Sequence, residues 1–101
     1  MSVTVLIRHR ALPGRRSDLH DVWKQHMQPA VADNPGHEAY YYCFDDADAD
    51  VVVVYQQYAD SEAAAAFLET ASYRAYLEES EPLLAEPPAL TRAVPQWQKS
   101  A

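Results

Sequence analysis

The sequence predicts one α+β domain whose elements follow the order strand, helix, strand, strand, helix, strand. Three observations lead to this order. Four segments show the alternation, or the density of β-branched and aromatic residues, that is typical of strands. Two further segments carry apolar residues at spacings of three and four, as amphipathic helices do. The length of 101 residues, with 49% hydrophobic and 23% charged residues, is ordinary for a single folded domain.

The first strand is predicted over residues 3–12, where apolar side chains alternate loosely with others. Pro13 and Gly14 end it, because both residues interrupt regular structure. We expect Ser17 to cap the helix that follows. Pro29 lies inside the helical pattern, so we expect a kinked or loosened last turn. The face of this helix that turns towards the core consists of Leu19, Val22, Trp23, His26, Met27 and Ala30.

A hairpin follows the first helix. Its strands are predicted over residues 37–44, which are rich in tyrosine, and over residues 51–58, which begin with four valines. The acidic turn between them is short, and a short turn joins antiparallel neighbours. Asp60 or Ser61 can cap the next helix.

The second helical segment contains two apolar stripes that do not share one face. At 100° per residue their phase slips near Thr70, so we expect two short helices with a break. The last strand is predicted over residues 90–97, at a sheet edge or bent, because Pro95 lacks a backbone N–H. The first stripe is Ala63, Ala64, Phe67 and Leu68, and the second is Tyr73, Tyr76 and Leu77.

Right-handed crossovers convert this order into a four-stranded antiparallel sheet with the helices on one face, the ferredoxin-like split βαβ arrangement. Residues 51–55 are apolar at every position, and residues 3–7 are apolar on both faces of their strand. A bare apolar sheet face would exceed what monomers usually expose. We therefore expect a homodimer in which two sheets pack face to face.

Charge and cysteine content restrict the possible partners. The formal net charge of −7 argues against nucleic-acid binding, which needs a basic face. The longest apolar run is far too short to cross a bilayer. A single cysteine, Cys43, and no visible signal peptide indicate the cytoplasm. Four arginines within nine positions form either a solvated surface, which we favour, or a patch that steers anionic small molecules: Arg8, Arg10, Arg15 and Arg16.

Several segments, in this order and spacing, carry a resemblance to a known family. They are residues 11–14 (ALPG), Pro29 followed by residues 34–36 (NPG), residues 55–63 (YQQYADSEA), residues 70–77 (TASYRAYL) and residues 83–88 (LLAEPP). Over nearly its whole length the sequence resembles the antibiotic biosynthesis monooxygenase family. The resemblance implies a dimeric α/β barrel with a pocket between sheet and helices in each subunit. It also implies one of three activities: oxidation of phenols or quinols without metal or flavin, haem degradation, or processing of small signalling molecules.

The sequence departs from this family where relatives carry a His-x-x-Ser-x-His-like stretch. Phe67, Thr70 and Ser72 stand at its histidine, serine and second histidine positions. A fold hosts many activities, so the side chains that are present must decide among them.

Two more departures concern the activities themselves. Leu77 and Ile7 stand where haem-degrading relatives have an axial histidine and an asparagine, which argues against haem degradation. Val54 and Tyr58 stand where oxygenases of aromatic polyketide pathways have an asparagine and a tryptophan. Of these two positions only the second keeps its aromatic character, with Tyr58 as a possible wall of the pocket.

Oxygenation without a cofactor needs a base, a hydrogen bond to the developing oxyanion and aromatic walls. His26 is the first candidate base, since it shares the apolar helix face, although a histidine in such a position is more often a satisfied core residue. His9 is the second; it shares the parity of Val5 and Ile7 but could be exposed at its strand end. We expect His20 and His37 on the surface. The expected pocket residues are Tyr58, Trp23, Tyr40, Tyr42, Phe67 and Tyr73.

Our leading hypothesis is a cofactor-independent monooxygenase whose partners are a small aromatic molecule and O2. No nucleotide or flavin is expected, since the only two glycines, Gly14 and Gly36, cannot form a phosphate-binding loop. No metal is expected either, because Val51 stands where a calcium loop beginning at Asp46 would need glycine, and because Tyr41 stands where a zinc motif beginning at His37 would need its second histidine. Two alternatives stay open: a non-catalytic dimer that binds a small molecule, and a cofactor-free isomerase or cyclase of a biosynthetic pathway.

Overall fold

A computed structural model describes residues 1–99 as a four-stranded antiparallel sheet with its helices against one face. The strands are β1 (Val3–Arg10), β2 (His37–Phe44), β3 (Val51–Tyr58) and β4 (Ala89–Ala93), and their order in the sheet is β2-β3-β1-β4. The helices are α1 (Arg16–Ala32), α2 (Ser61–Phe67) and α3 (Ala71–Ser80), followed by a 3₁₀ turn (Glu81–Leu83). The predicted ferredoxin-like α+β fold is confirmed.

The strand register assigns every side chain to one of two sheet faces. β1 pairs antiparallel with β3, so that Val5 faces Gln56 and His9 faces Val52. Because alternate residues point to opposite faces, the side chains at odd positions of β1 and even positions of β3 share the helix-covered face. The core confirms this assignment, since Val5 and Tyr58 pack with Trp23 and Phe67.

The predicted break in the second helical segment is confirmed. α2 ends at Phe67, and α3 begins at Ala71 with Thr70 as its N-cap; the Thr70 hydroxyl accepts a hydrogen bond from the backbone N–H of Tyr73 at 3.3 Å. Asp60 caps α2 as expected, since its carboxylate accepts from the backbone N–H of Ala63 at 2.7 Å.

The predicted cap of the first helix was wrong. α1 begins at Arg16, so Ser17 lies inside it, and no side chain of residues 1–99 caps its start. The helix continues through Pro29 and ends at Ala32. The residues beyond Pro29 keep their own backbone donors, and the N–H of Asp33 bonds to the carbonyl of Pro29 at 3.2 Å.

The first and last strands of the chain are shorter than predicted. β1 ends at Arg10, and Ala11 makes only an isolated bridge to Leu84. β4 is an edge strand, as predicted, but it covers Ala89–Ala93 and stops before Pro95, which cannot donate to the ladder.

The second sheet face is covered by no helix of the described chain. It carries Leu6 and Tyr41, which are exposed, and the half-buried Val53 and Tyr55. This open face is therefore partly apolar.

Candidate functional site

A cavity of about 380 Å³ lies between the helix-covered sheet face and helices α2 and α3. This volume is at the lower end of the range for small-molecule sites, which are mostly apolar with a few polar groups. The lining has the same character. Its residues are Val5, Ile7, His9, Met27, Tyr40, Gln56, Tyr58, Ala64, Ala65, Phe67, Leu68, Tyr73, Tyr76, Leu77, Pro88, Leu90 and Arg92.

His9 is the histidine that lines the cavity. Its side chain comes from β1 and is only 5% exposed. Its Nδ1 atom is buried and has no hydrogen-bond partner among residues 1–99. Burial disfavours the charged ring and lowers the pKa of His9 to about 4. At neutral pH His9 is therefore an uncharged imidazole, the form that can accept a proton.

Four tyrosines bring phenol rings to the same cavity. Tyr40, Tyr58, Tyr73 and Tyr76 all have a pKa above the ordinary value, chiefly because burial disfavours the phenolate. For Tyr40 the pKa is raised to about 12, and its hydroxyl accepts a hydrogen bond from Trp23 Nε1 at 3.0 Å. The phenols thus remain protonated and line the cavity without charge.

The ring of Tyr76 stands edge-on to His9, with 6.3 Å between ring centroids. The Tyr76 hydroxyl is buried and has no partner among residues 1–99. Buried polar atoms usually have a hydrogen-bond partner, so two unpartnered groups, His9 Nδ1 and Tyr76 OH, mark this end of the cavity as unusual.

A chain of hydrogen bonds leads from the α1–β2 turn to the cavity. The backbone N–H of Gly36 donates to Asn34 Oδ1 at 3.2 Å, and Asn34 Nδ2 lies 2.8 Å from His37 Nδ1. His37 Nε2 lies 2.9 Å from Gln56 Oε1. Gln56 is 4% exposed and lines the cavity.

The predictions that His37 and His20 lie on the surface are wrong. His37 is half-buried and packs against Tyr58 and Phe67, and its pKa is lowered chiefly by burial. A register shift between His37 and Ala39 places His37 opposite Tyr58. His20 stacks on Tyr42 with 4.9 Å between centroids and is also half-buried.

The other predicted site residues fall into two groups. Tyr40, Tyr58, Phe67 and Tyr73 line the cavity, as His9 does. Those outside its lining are Trp23 and Tyr42, whose rings pack together behind Tyr40, and His26.

His26 lies between the helices. Its Nε2 atom contacts the carboxylate of Glu79 on α3. The buried residues of α1 are Leu19, Trp23 and Met27, spaced four apart, so His26 flanks this stripe instead of lying on it. The shared apolar face that suggested His26 as a base therefore does not bring it to the cavity.

Three polar residues of the lining were not selected from the sequence: Gln56, Tyr76 and Arg92. The sequence could have indicated Gln56, because it lies two residues before Tyr58 on the same strand and therefore on the same sheet face. Tyr76 and Arg92 depend on how α3 and β4 pack, which residue spacing does not reveal.

The arginine cluster near the start of the chain has a structural role. Arg8 pairs with Asp45 at 3.3 Å and Arg10 with Asp48 at 2.8 Å, so both hold the acidic β2–β3 turn. Arg16 donates to three carbonyl oxygens of that turn and its exit, between 3.0 and 3.2 Å. These contacts support the surface interpretation over anion steering.

Within residues 1–99, no group of three or more His, Cys, Asp or Glu residues is placed to hold a metal ion. None of the described helices combines the length and apolar composition that a bilayer-spanning segment requires.

The chain belongs to the antibiotic biosynthesis monooxygenase family, whose model matches residues 2–79. No functionally curated protein matches it significantly.

Solved structures share the fold at low sequence identity. One is the Mycobacterium tuberculosis protein Rv0793, with 24% identity, a TM-score of 0.87, and coverage of 99% of this chain and 100% of that one. A candidate antibiotic biosynthesis monooxygenase from Nitrosomonas europaea has 20% identity and a TM-score of 0.85, covering 96% and 100% of the two chains. PA3566 from Pseudomonas aeruginosa has 18% identity and a TM-score of 0.84, covering 95% of each chain. Identities this low establish the fold alone.

Proposed function

We propose that the protein is a cofactor-independent monooxygenase that oxidises a phenolic or quinol-like small molecule. One observation carries the proposal: an uncharged, buried and unpartnered imidazole, His9, lines an apolar cavity of small-molecule size. Family membership and the name of the Nitrosomonas europaea relative support the same class of reaction.

The proposed reaction needs no external reductant. In an anthrone-like substrate, His9 takes a proton from the activated CH2 group, which leaves a carbanion whose charge spreads onto the oxygen as an enolate. The carbanion reduces O2 and bonds to it, giving a peroxide that takes the proton back from His9. Loss of water from the hydroperoxide then leaves a carbonyl in place of CH2. One oxygen atom enters the product and the other leaves as water.

The cavity supports each of these steps. Formation of an anion beside His9 raises the proton affinity of the imidazole, which offsets the low pKa of the empty site. The neutral phenols of Tyr58 and Tyr73 can donate hydrogen bonds to the substrate oxygen without adding charge. Apolar walls exclude the water that would otherwise quench the carbanion.

Oxygen uptake tests the proposal directly. The purified protein is incubated with anthrones and hydroquinones in an oxygen electrode, and products are identified by mass spectrometry with ¹⁸O2. His9→Leu should lower the rate about 100- to 10,000-fold, the usual contribution of a general base. His26→Leu is the matched control, because His26 lies outside the cavity lining and should leave the rate within about threefold.

The outcomes separate this function from its alternatives. Saturable binding with recovery of unchanged ligand supports a binding protein. Product formation without oxygen uptake supports an isomerase or cyclase. A rate that falls in His26→Leu and not in His9→Leu contradicts the assignment of the base.

We also propose that two copies of the chain pack through the open sheet face, and that the protein acts in the cytoplasm. Packing of two copies would cover the apolar surface that Leu6 and Tyr41 expose on that face. The exposed free thiol of Cys43 suits the cytoplasm, because a reducing compartment keeps thiols from forming disulfides. Light scattering after size exclusion should give twice the monomer mass for the wild type and the monomer mass for Tyr41→Glu. Leu12→Glu, in the loop after β1, is the control and should stay dimeric. A monomeric wild type contradicts the dimer.

A further inference from the structure

The orientation of the Gln56 amide is fixed by a backbone donor. The N–H of Gly36 can only donate, so the Asn34 atom that it contacts must be the oxygen. The Asn34 amide nitrogen then donates to His37 Nδ1, which must be unprotonated. The neutral ring carries its proton on Nε2 and donates it to Gln56 Oε1.

This series of hydrogen bonds uses the oxygen of the buried Gln56 amide and, within residues 1–99, leaves its nitrogen without a partner. The Gln56 nitrogen has no hydrogen-bond acceptor among residues 1–99, although the residue is 4% exposed. An –NH2 group can only donate, so the cavity presents a donor whose direction His37 maintains.

A second donor stands at the same level of the sheet. Val5 pairs with Gln56 on β3 and with Arg92 on β4, so these two residues flank Val5 on the helix-covered face. Strands lie about 4.8 Å apart, which puts the two Cα atoms roughly 10 Å from each other. Side chains of this length, converging from both sides, can reach one bound group.

Arg92 also differs from the other arginines of the chain. Within residues 1–99 its guanidinium makes no ion pair or hydrogen bond, whereas the guanidinium groups at positions 8, 10, 15, 16 and 74 all do. Arg92 lines the cavity and is exposed, which places it at the rim. An unpaired guanidinium beside an oriented amide is complementary to a carboxylate, whose planar oxygen pair the guanidinium fork matches.

We infer that the cavity binds an aromatic carboxylic acid, with its carboxylate held by Gln56 and Arg92 and its rings between the apolar walls. His9 lies four residues along β1 from Val5, roughly 13 Å away, so a molecule of two or three fused rings would bring its reactive end towards His9. The inference deepens the proposed function, because it takes the same cavity as the substrate site.

Calorimetric titration with 2-naphthoate and with 2-naphthamide tests the inference. The two probes share their rings and differ in the charge of the head group. Wild-type protein should bind the naphthoate about 10- to 100-fold more tightly, as expected for hydrogen bonds to a charged group. Naphthamide keeps the rings and one acceptor oxygen but carries no charge, so the ratio of the two affinities measures the contribution of the charge.

Gln56→Glu is the sharpest variant. The substitution keeps an oxygen that accepts from His37 Nε2–H. It replaces the –NH2 donor by a carboxylate oxygen, which is negatively charged like the head group of naphthoate and repels it. Gln56→Glu and Arg92→Met should each remove the preference for naphthoate while naphthamide affinity stays within about threefold of wild type. Arg74→Met is the charge control, since Arg74 pairs with Glu69 on the surface, and should retain the preference.

His37→Phe tests the positioning role of His37. Phenylalanine keeps an aromatic ring beside Tyr58 and Phe67 but frees the Gln56 amide to rotate. The ratio of naphthoate to naphthamide affinity should fall, a readout that packing alone would not change. Equal binding of the two probes by wild-type protein overturns the inference, whereas the oxygenase proposal depends on oxygen uptake with anthrones.

Discussion

Replacing His9 with leucine should make the stability of the domain less sensitive to pH between 7 and 4. In the folded protein burial lowers the pKa of His9 to about 4, from 6.5 for an exposed histidine. Between these values the unfolded chain binds a proton that the native state refuses, so stability falls as the pH falls. The linkage amounts to about 2 kcal/mol at pH 5 and about 3 kcal/mol at pH 4.

Urea unfolding of wild type and His9→Leu at pH 7, 6, 5 and 4 measures this difference. The titration of His37 and of the carboxylates in the β2–β3 turn also destabilises the folded protein as the pH falls, because folding lowers the pKa values of these groups. They are present in both proteins and cancel in the comparison. As the pH falls from 7 to 4, the free energy of unfolding of His9→Leu should rise relative to that of the wild type by about 3 kcal/mol.

A constant gap across this pH range would refute the reasoning. It would mean that the His9 ring is hydrated or partnered in solution and titrates near its ordinary pKa. Direct titration of its imidazole by NMR separates this case from a change in the unfolded state. The buried, unpartnered state of His9, which carries the oxygenase proposal, would then lose its support.

Three substitutions test individual features of the fold by urea unfolding. Asp60→Ala removes the cap on the Ala63 N–H and should cost about 1 kcal/mol; an unchanged midpoint would mean that water replaces the cap. Tyr76→Phe removes a buried, unpartnered hydroxyl and should leave stability unchanged or raise it by up to about 1 kcal/mol, whereas a clear loss would reveal a bound water. Gly14→Ala should cost about 1 kcal/mol through its φ of +77° alone, since a methyl group meets no atom within 4 Å; a neutral result would show that the turn relaxes.

Periodicity predicted the fold well because each apolar stripe has one way to reach the core. The stripes around Thr70 differ in phase, and a continuous helix would have exposed one of them; the structure instead breaks the helix there. The same logic failed for His37. Strict alternation from Tyr40 and Tyr42 turns position 37 to the open face, but a register shift reverses it.

The site was only partly predictable, because its polar groups come from separate elements. Parity placed His9 and Tyr58 on the correct sheet face, and both line the cavity. His26 shared the apolar helix face in sequence, yet its neighbour Glu79 on α3 is far along the chain. The pairing of Gln56 with Arg92 across β1 depends on sheet order, which a single sequence suggests but side-chain spacing does not encode.

The edge position of β4 separates the residues that determine stability from those that determine ligand preference. Within residues 1–99 this strand has five exposed residues, pairs with β1 alone, and still contributes Leu90 and Arg92 to the cavity wall. Exposed positions usually tolerate substitution within about 0.5 kcal/mol, whereas Tyr58 and Phe67 on the opposite wall are core residues. Divergence along β4 can therefore change what the protein binds while the fold persists. A library randomised at positions 90 and 92 is the natural starting point for redirecting it to another ligand.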